Sequence, residues 1–157
     1  MASPASVRKH PIHPMLVALP IGLWVFALIC DIAAVAGGPP VWSIVAFFCI
    51  AAGIIGAILA AIPGLIDYFS IHEAEMKRIG TWHLAVNLTA VLIFAVNWWV
   101  RLHEAAGLLP LLLSAAGVAL IGFGGWLGGG MVYVKGMAVD AVDKLSRENA
   151  ASSKRAA

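Results

Sequence analysis

Four long apolar stretches, Met15–Ala36, Val41–Ile66, Trp82–Val100 and Leu108–Val134, contain a single formally charged residue between them, Asp31. A hydrocarbon core about 30 Å thick is crossed by roughly 20 apolar residues rising about 1.5 Å each, so every stretch is long enough to span a bilayer as an α-helix. A water-soluble bundle would need a polar face on each helix, and these segments have none to offer. Only 11% of the 157 residues are charged, against about one quarter in an average soluble domain. The expected fold class is therefore all-α, an integral membrane four-helix bundle with spans near 14–36, 41–67, 81–101 and 108–134.

The connections are short. Residues 1–13 form the N-terminal segment, of which the polar Met1–His10 is expected to be poorly ordered, and Pro14 suits the first turn of the first helix. Gly37-Gly38-Pro39-Pro40 stops that helix. Pro63-Gly64 should bend the last turn of the second helix. Tyr68–Gly80 is the longest polar link, and Thr81 is placed to cap the third helix. Residues 135–157 read as a basic tail, with Val139–Glu148 able to form a short amphipathic surface helix. With four spans, the two termini and the link around Lys77 share one side. That side holds Arg8, Lys9, Lys77, Arg78, Lys135, Lys144, Arg147, Lys154 and Arg155, whereas the other holds only Arg101. Basic residues collect in cytoplasmic loops, so both termini are expected in the cytoplasm. The apolar run after Arg8-Lys9 is too long for a signal-peptide core and is followed by three more spans, so it reads as a span.

Small residues mark packing seams in lipid, where close backbone approach drives helix association. The second span presents Gly53, Gly56, Ala60 and Gly64. The fourth presents Gly117, Gly124 and Gly128, with Gly125 and Gly129 on the next face. Tight helix packing accounts for such seams, and a groove for a flat porphyrin is the sharper alternative. Trp24, Trp42, Trp82, Trp98, Trp99, Tyr68 and Tyr133 mostly fall near segment ends, as an interfacial aromatic belt does. Cys30 and Cys49 read as small buried apolar residues.

Polar groups at membrane depth are costly and are candidates for function. His10 and His13 open the first span, Asp67 closes the second with His72 just beyond, and His83 starts the third with Asn87 one turn deeper. Three readings fit this cluster. His13 and His83, with His10 and His72 as alternates, could hold a b-type haem or a metal from two sides. His13, Asp67, Asn87 and His83 could form a proton or ion site. Or the histidines could simply satisfy helix ends. At the opposite end Asp31 is expected to form a structural ion pair with Arg101, with Asn97 adding to a polar stripe that faces the bundle interior.

No catalytic residue is identified, since the chain has no G-x-S-x-G, phosphate loop, H-E-x-x-H or paired cysteines. Nothing points to nucleic acid. The expected partners are the lipid bilayer, other membrane or redox subunits, or further copies of the chain.

Several fragments resemble a bacterial four-helix membrane family known as domain of unknown function 2231. They are His10-Pro11-Ile12-His13-Pro14-Met15-Leu16-Val17 running into Leu19-Pro20-Ile21-Gly22, then Pro63-Gly64-Leu65-Ile66-Asp67, and His83 near Asn87. The stretch from Asn97 to Arg101 follows, and then Gly125-Trp126-Leu127-Gly128-Gly129 leading to Met131-Val132-Tyr133. The resemblance runs from about Lys9 to Val139. It implies architecture more than activity, and relatives that look fused to Rieske-type iron–sulfur domains imply a redox setting. Ala18 and Lys135 stand where that family often has histidine, which removes two candidate ligands.

Overall fold

The computed structural model describes residues 3–103, 106–137 and Glu148; the proposed surface helix over Val139–Glu148 lies outside the described residues, apart from Glu148 itself. An antiparallel pair of two-residue strands, β1 (Ser6–Val7) and β2 (His10–Pro11), precedes the helices. The helices follow in order: α1 (Ile12–Leu16), α2 (Ala18–Val35), α3 (Val41–Phe69), α4 (Ala74–Val100) and α5 (Leu108–Gly129), which ends in a π-helical turn over Gly130–Val134. Taking α1 and α2 as one span and α5 with its last turn as another, four segments are long and apolar enough to cross a membrane.

The break between α1 and α2 has a simple cause. Pro20 has no N–H to give the carbonyl of Leu16, so the hydrogen-bond ladder is interrupted near Val17. Gly37 adopts a left-handed backbone (φ 90°) and turns the chain into α3. The third span begins at Ala74, well before Thr81. Ala-Glu-Met-Lys-Arg are strong helix formers, and Glu73 has the extended backbone of an N-cap residue. Thr81 is thus inside α4, where its hydroxyl donates to the carbonyl of Lys77 at 2.8 Å and meets the Tyr68 hydroxyl at 2.9 Å.

The N-terminal segment corrects the expectation of disorder. Arg8 and Lys9 both have positive φ (47° and 68°), the signature of a tight I′-type hairpin turn. Ala5 is buried and accepts the Ile12 amide at 3.0 Å. The buried carboxylate of Asp67 then accepts the Ser3 hydroxyl at 2.7 Å and the Ala5 amide at 3.2 Å. A polar sequence carries no sign of such a clasp, because the anchor is supplied by another helix. Asp67→Asn should loosen it. Trypsin cleavage of the detergent-solubilised protein at Arg8 and Lys9 is expected to accelerate about tenfold, the effect of losing roughly 1.4 kcal/mol of local stability.

The side chains sort as a lipid-embedded bundle requires. Apolar residues such as Phe48, Ile55, Leu92 and Trp126 are exposed on the outside. The core consists of Trp24, Ala27, Cys30, Ala46, Ile50, Ala90, Phe94 and Ile121. Trp24 is therefore not part of the aromatic belt. It is 2% exposed, stacks on Phe94 with ring centres 4.2 Å apart and planes at 12°, and donates to the Ile50 carbonyl at 3.3 Å. Trp99 and Tyr133 are exposed at helix ends, where an interfacial belt would place them, and Trp82 is exposed two turns inside α4.

The glycines explain how aromatic rings enter so narrow a bundle. A Cβ at Gly53 would overlap the Trp24 indole, and one at Gly117 would lie 2.5 Å from Phe94 Cε2. By contrast, Gly122 and Gly125 have nothing within 4 Å of such an atom. Gly53→Ala and Gly117→Ala should each destabilise by about 1–3 kcal/mol through overpacking, more than the roughly 1 kcal/mol that helix propensity returns. Gly122→Ala should instead raise the thermal midpoint in detergent.

Candidate functional site

Two polar clusters lie inside the bundle, one at each end. At the end where α1 begins, His13 comes from α1 and His83 from α4. The Nδ1–H of His13 donates to the Ala60 carbonyl on α3 at 2.7 Å, and the Nδ1–H of His83 donates to the Gly124 carbonyl on α5 at 2.9 Å. A carbonyl can only accept, so both Nδ1 atoms carry hydrogen, and Nε2 is the nitrogen of each ring that has a lone pair to offer when the ring is neutral. The ring centres are 6.2 Å apart with planes at 83°.

Glycine makes each seat. A Cβ at Gly64 would lie 2.7 Å from His13 Nδ1, and one at Gly128 would lie 3.0 Å from His83 Cε1. Asn87 packs over the His83 ring, its Nδ2 3.4 Å from both ring nitrogens, and donates to the His83 carbonyl at 2.7 Å. A Cβ at Gly124 would meet that amide. The seams of small residues thus receive the side chains of the neighbouring helix.

The other sequence candidates lie apart from this pair. His10 is exposed, with Nδ1 3.0 Å from the Arg8 carbonyl, and His72 is exposed beyond the end of α3. Asp67 holds the N-terminal clasp, two turns along α3 from Ala60. His103 is at the opposite end, 5.4 Å between ring centres from Trp99. Among the described residues no group of three or more His, Cys, Asp or Glu side chains converges as a metal site.

At that opposite end Arg101 Nη2 donates to both oxygens of Asp31, at 2.7 and 2.6 Å. The two side chains are 1% and 4% exposed. Asn97 accepts from Arg101 Nε at 3.0 Å and donates to the Pro110 carbonyl and to Ser114 Oγ, while Ser114 donates to Asp31 at 2.6 Å. Ser114 was not singled out in the sequence; a lone hydroxyl in an apolar run is the signal that could have found it. Arg101 Nη1 and Trp98 Nε1 are buried without a hydrogen-bond partner among the described residues.

Fold and clusters together define a class: a small four-span membrane protein with paired histidines at one end of its core and a buried ion pair at the other. More particularly, the chain belongs to the predicted membrane protein family DUF2231, whose family model matches residues 9–141. No curated protein and no solved structure matches it.

Proposed function

We propose that this protein is a redox-associated membrane subunit, not itself an enzyme, in which His13 of α1 and His83 of α4 would hold a b-type haem. The observation that carries this reading is the 6.2 Å between the ring centres. Two imidazole nitrogens each about 2.0–2.1 Å from one metal leave ring centres about 6 Å apart, close to the separation the two rings have here. The donor set points the same way. A bare ion would find two imidazoles, whereas the iron of a porphyrin already has four nitrogens and needs only two more.

The chain's part is to hold and orient. The Ala60 and Gly124 carbonyls keep the proton on each Nδ1, leave Nε2 as donor and set the ring planes, as outer partners of metal-bound histidines do. Bound there, haem would supply one-electron transfer within the membrane. The excess of basic residues at the termini and around Lys77 supports an inner-membrane location with the histidine end towards the cytoplasm.

Absorption of the detergent-purified protein tests the reading directly. A Soret band that sharpens on reduction, or one that grows in to a 1:1 endpoint as haemin is added to colourless protein, is the expected result. Protein that stays colourless through a haemin titration would overturn it. The second reading is a structural or assembly subunit in which the rings serve only to tie helices together. The engaged Nδ1 atoms favour it, and it predicts loss of stability on histidine replacement with no haem binding at all.

A further inference from the structure

The paired contacts recur at fixed intervals along the chain. His13, Trp24 and Asp31 of the first span have counterparts 70 residues later in His83, Phe94 and Arg101 of the third. Each residue meets its own counterpart in space: histidine faces histidine, Trp24 stacks on Phe94, and Asp31 pairs with Arg101. Between the second and fourth spans the interval is 64. Gly53 and Gly117 seat the two stacked rings, Ala60 and Gly124 supply the two carbonyls, and Gly64 and Gly128 cradle the two imidazoles. Both hairpins start at the same end of the bundle. Contacts between a residue and its own equivalent arise only along a two-fold axis, here parallel to the helices, as in transporters built from parallel repeats.

We infer that the bundle is one helical hairpin used twice, so that His13 and His83 are equivalent half-sites, and that the unlike charges at positions 31 and 101 make each hairpin pair with the other rather than with its own kind. Two first hairpins brought together would bury two carboxylates against each other at this level, and two second hairpins would bury two guanidinium groups. Like charges in so apolar a place are strongly excluded, which is how a heterotypic pair is specified. The histidine level carries no such discrimination, because both halves present the same ligand. A group held there lies on the axis and meets the two hairpins alike; this last part rests on the haem reading.

Exchange variants of the full chain test the repeat without reference to any bound group. In W24F/F94W the indole moves to the equivalent position, where the carbonyl of Ser114, the counterpart of Ile50, is its acceptor. In D31R/R101D the charges change places. W24F/F94W should keep the thermal midpoint in detergent within about 5 °C of the parent; D31R/R101D, which moves the charges while Asn97 and Ser114 stay on the second hairpin, should lie well above R101D or D31R alone, where like charges face each other and the midpoint should fall by about 10 °C or more. An exchange variant that falls as far as the worse of its own two single substitutions would overturn the inference. For the half-sites, H13A and H83A should lose haem affinity by the same factor within about threefold; a difference of tenfold or more would contradict their equivalence. Colourless parent protein would remove the haem reading while leaving the exchange result to decide the repeat.

Discussion

Replacing either His13 or His83 by alanine is expected to abolish six-coordinate haem binding while leaving a folded, extractable membrane protein. Each imidazole reaches the shared space from a different hairpin, and its Nδ1 is tied to a carbonyl of the partner helix. Removing one ring therefore takes away one hydrogen bond and, on the haem reading, one ligand. The hydrogen bond contributes roughly 0.5–1.5 kcal/mol and its loss is tolerable. The ligand is not readily replaced from nearby, since His10 and His72 are both exposed and His10 Nδ1 lies 3.0 Å from the Arg8 carbonyl. The absorption spectrum should thus change from a sharp low-spin form to a weak, broad one in either variant and vanish in the double. Moving the seat should act more gently. Gly64→Ala pushes a methyl group against His13 and Gly128→Ala against His83, so both should weaken haem affinity with the ligands still present. If H13A and H83A leave the parent spectrum unchanged, the axial assignment fails whatever gives rise to the colour.

Asp31→Leu is expected to destabilise the bundle by about 3–5 kcal/mol, the usual consequence of stranding a buried charge. The reason is visible in the hydrogen-bond network. Asp31 takes up both bonds from Arg101 Nη2 and one from Ser114, and Arg101 Nη1 already lacks a partner among the described residues. Without the carboxylate the guanidinium keeps only Asn97 and a 3.5 Å contact to Ser114. The double variant D31L/R101L should recover most of the loss, because two apolar side chains need no partners. A double-mutant cycle on thermal unfolding in detergent measures the coupling directly. Additive single effects would show that the pair is not coupled.

The four spans were legible because they depend on local composition and on residues that stop a helix. The start of α4 was misjudged because Thr81 is a good cap residue that helix formers upstream made unnecessary. Of the site, the residue types and their shared end of the bundle were readable from spacing. The pairing of His13 with His83, and the engagement of Asp67 by Ser3 and Ala5, were not. The repeat escaped notice for a related reason. Its two halves agree in where residues are buried and which face the axis, but among the axial residues only the histidines are identical. A comparison of the chain with itself at intervals of 70 and 64 would have exposed it.

The apolar stretches alone determined that this chain lives in lipid as four helices, because each backbone group must find its partner within its own helix there. The tertiary structure alone decided which small residues receive which rings, which histidine faces which, and why an aspartate and an arginine 70 residues apart neutralise each other. Helices in lipid have no apolar drive to sort their faces, so their register is set by close fit and by the few polar groups that must meet across the bundle.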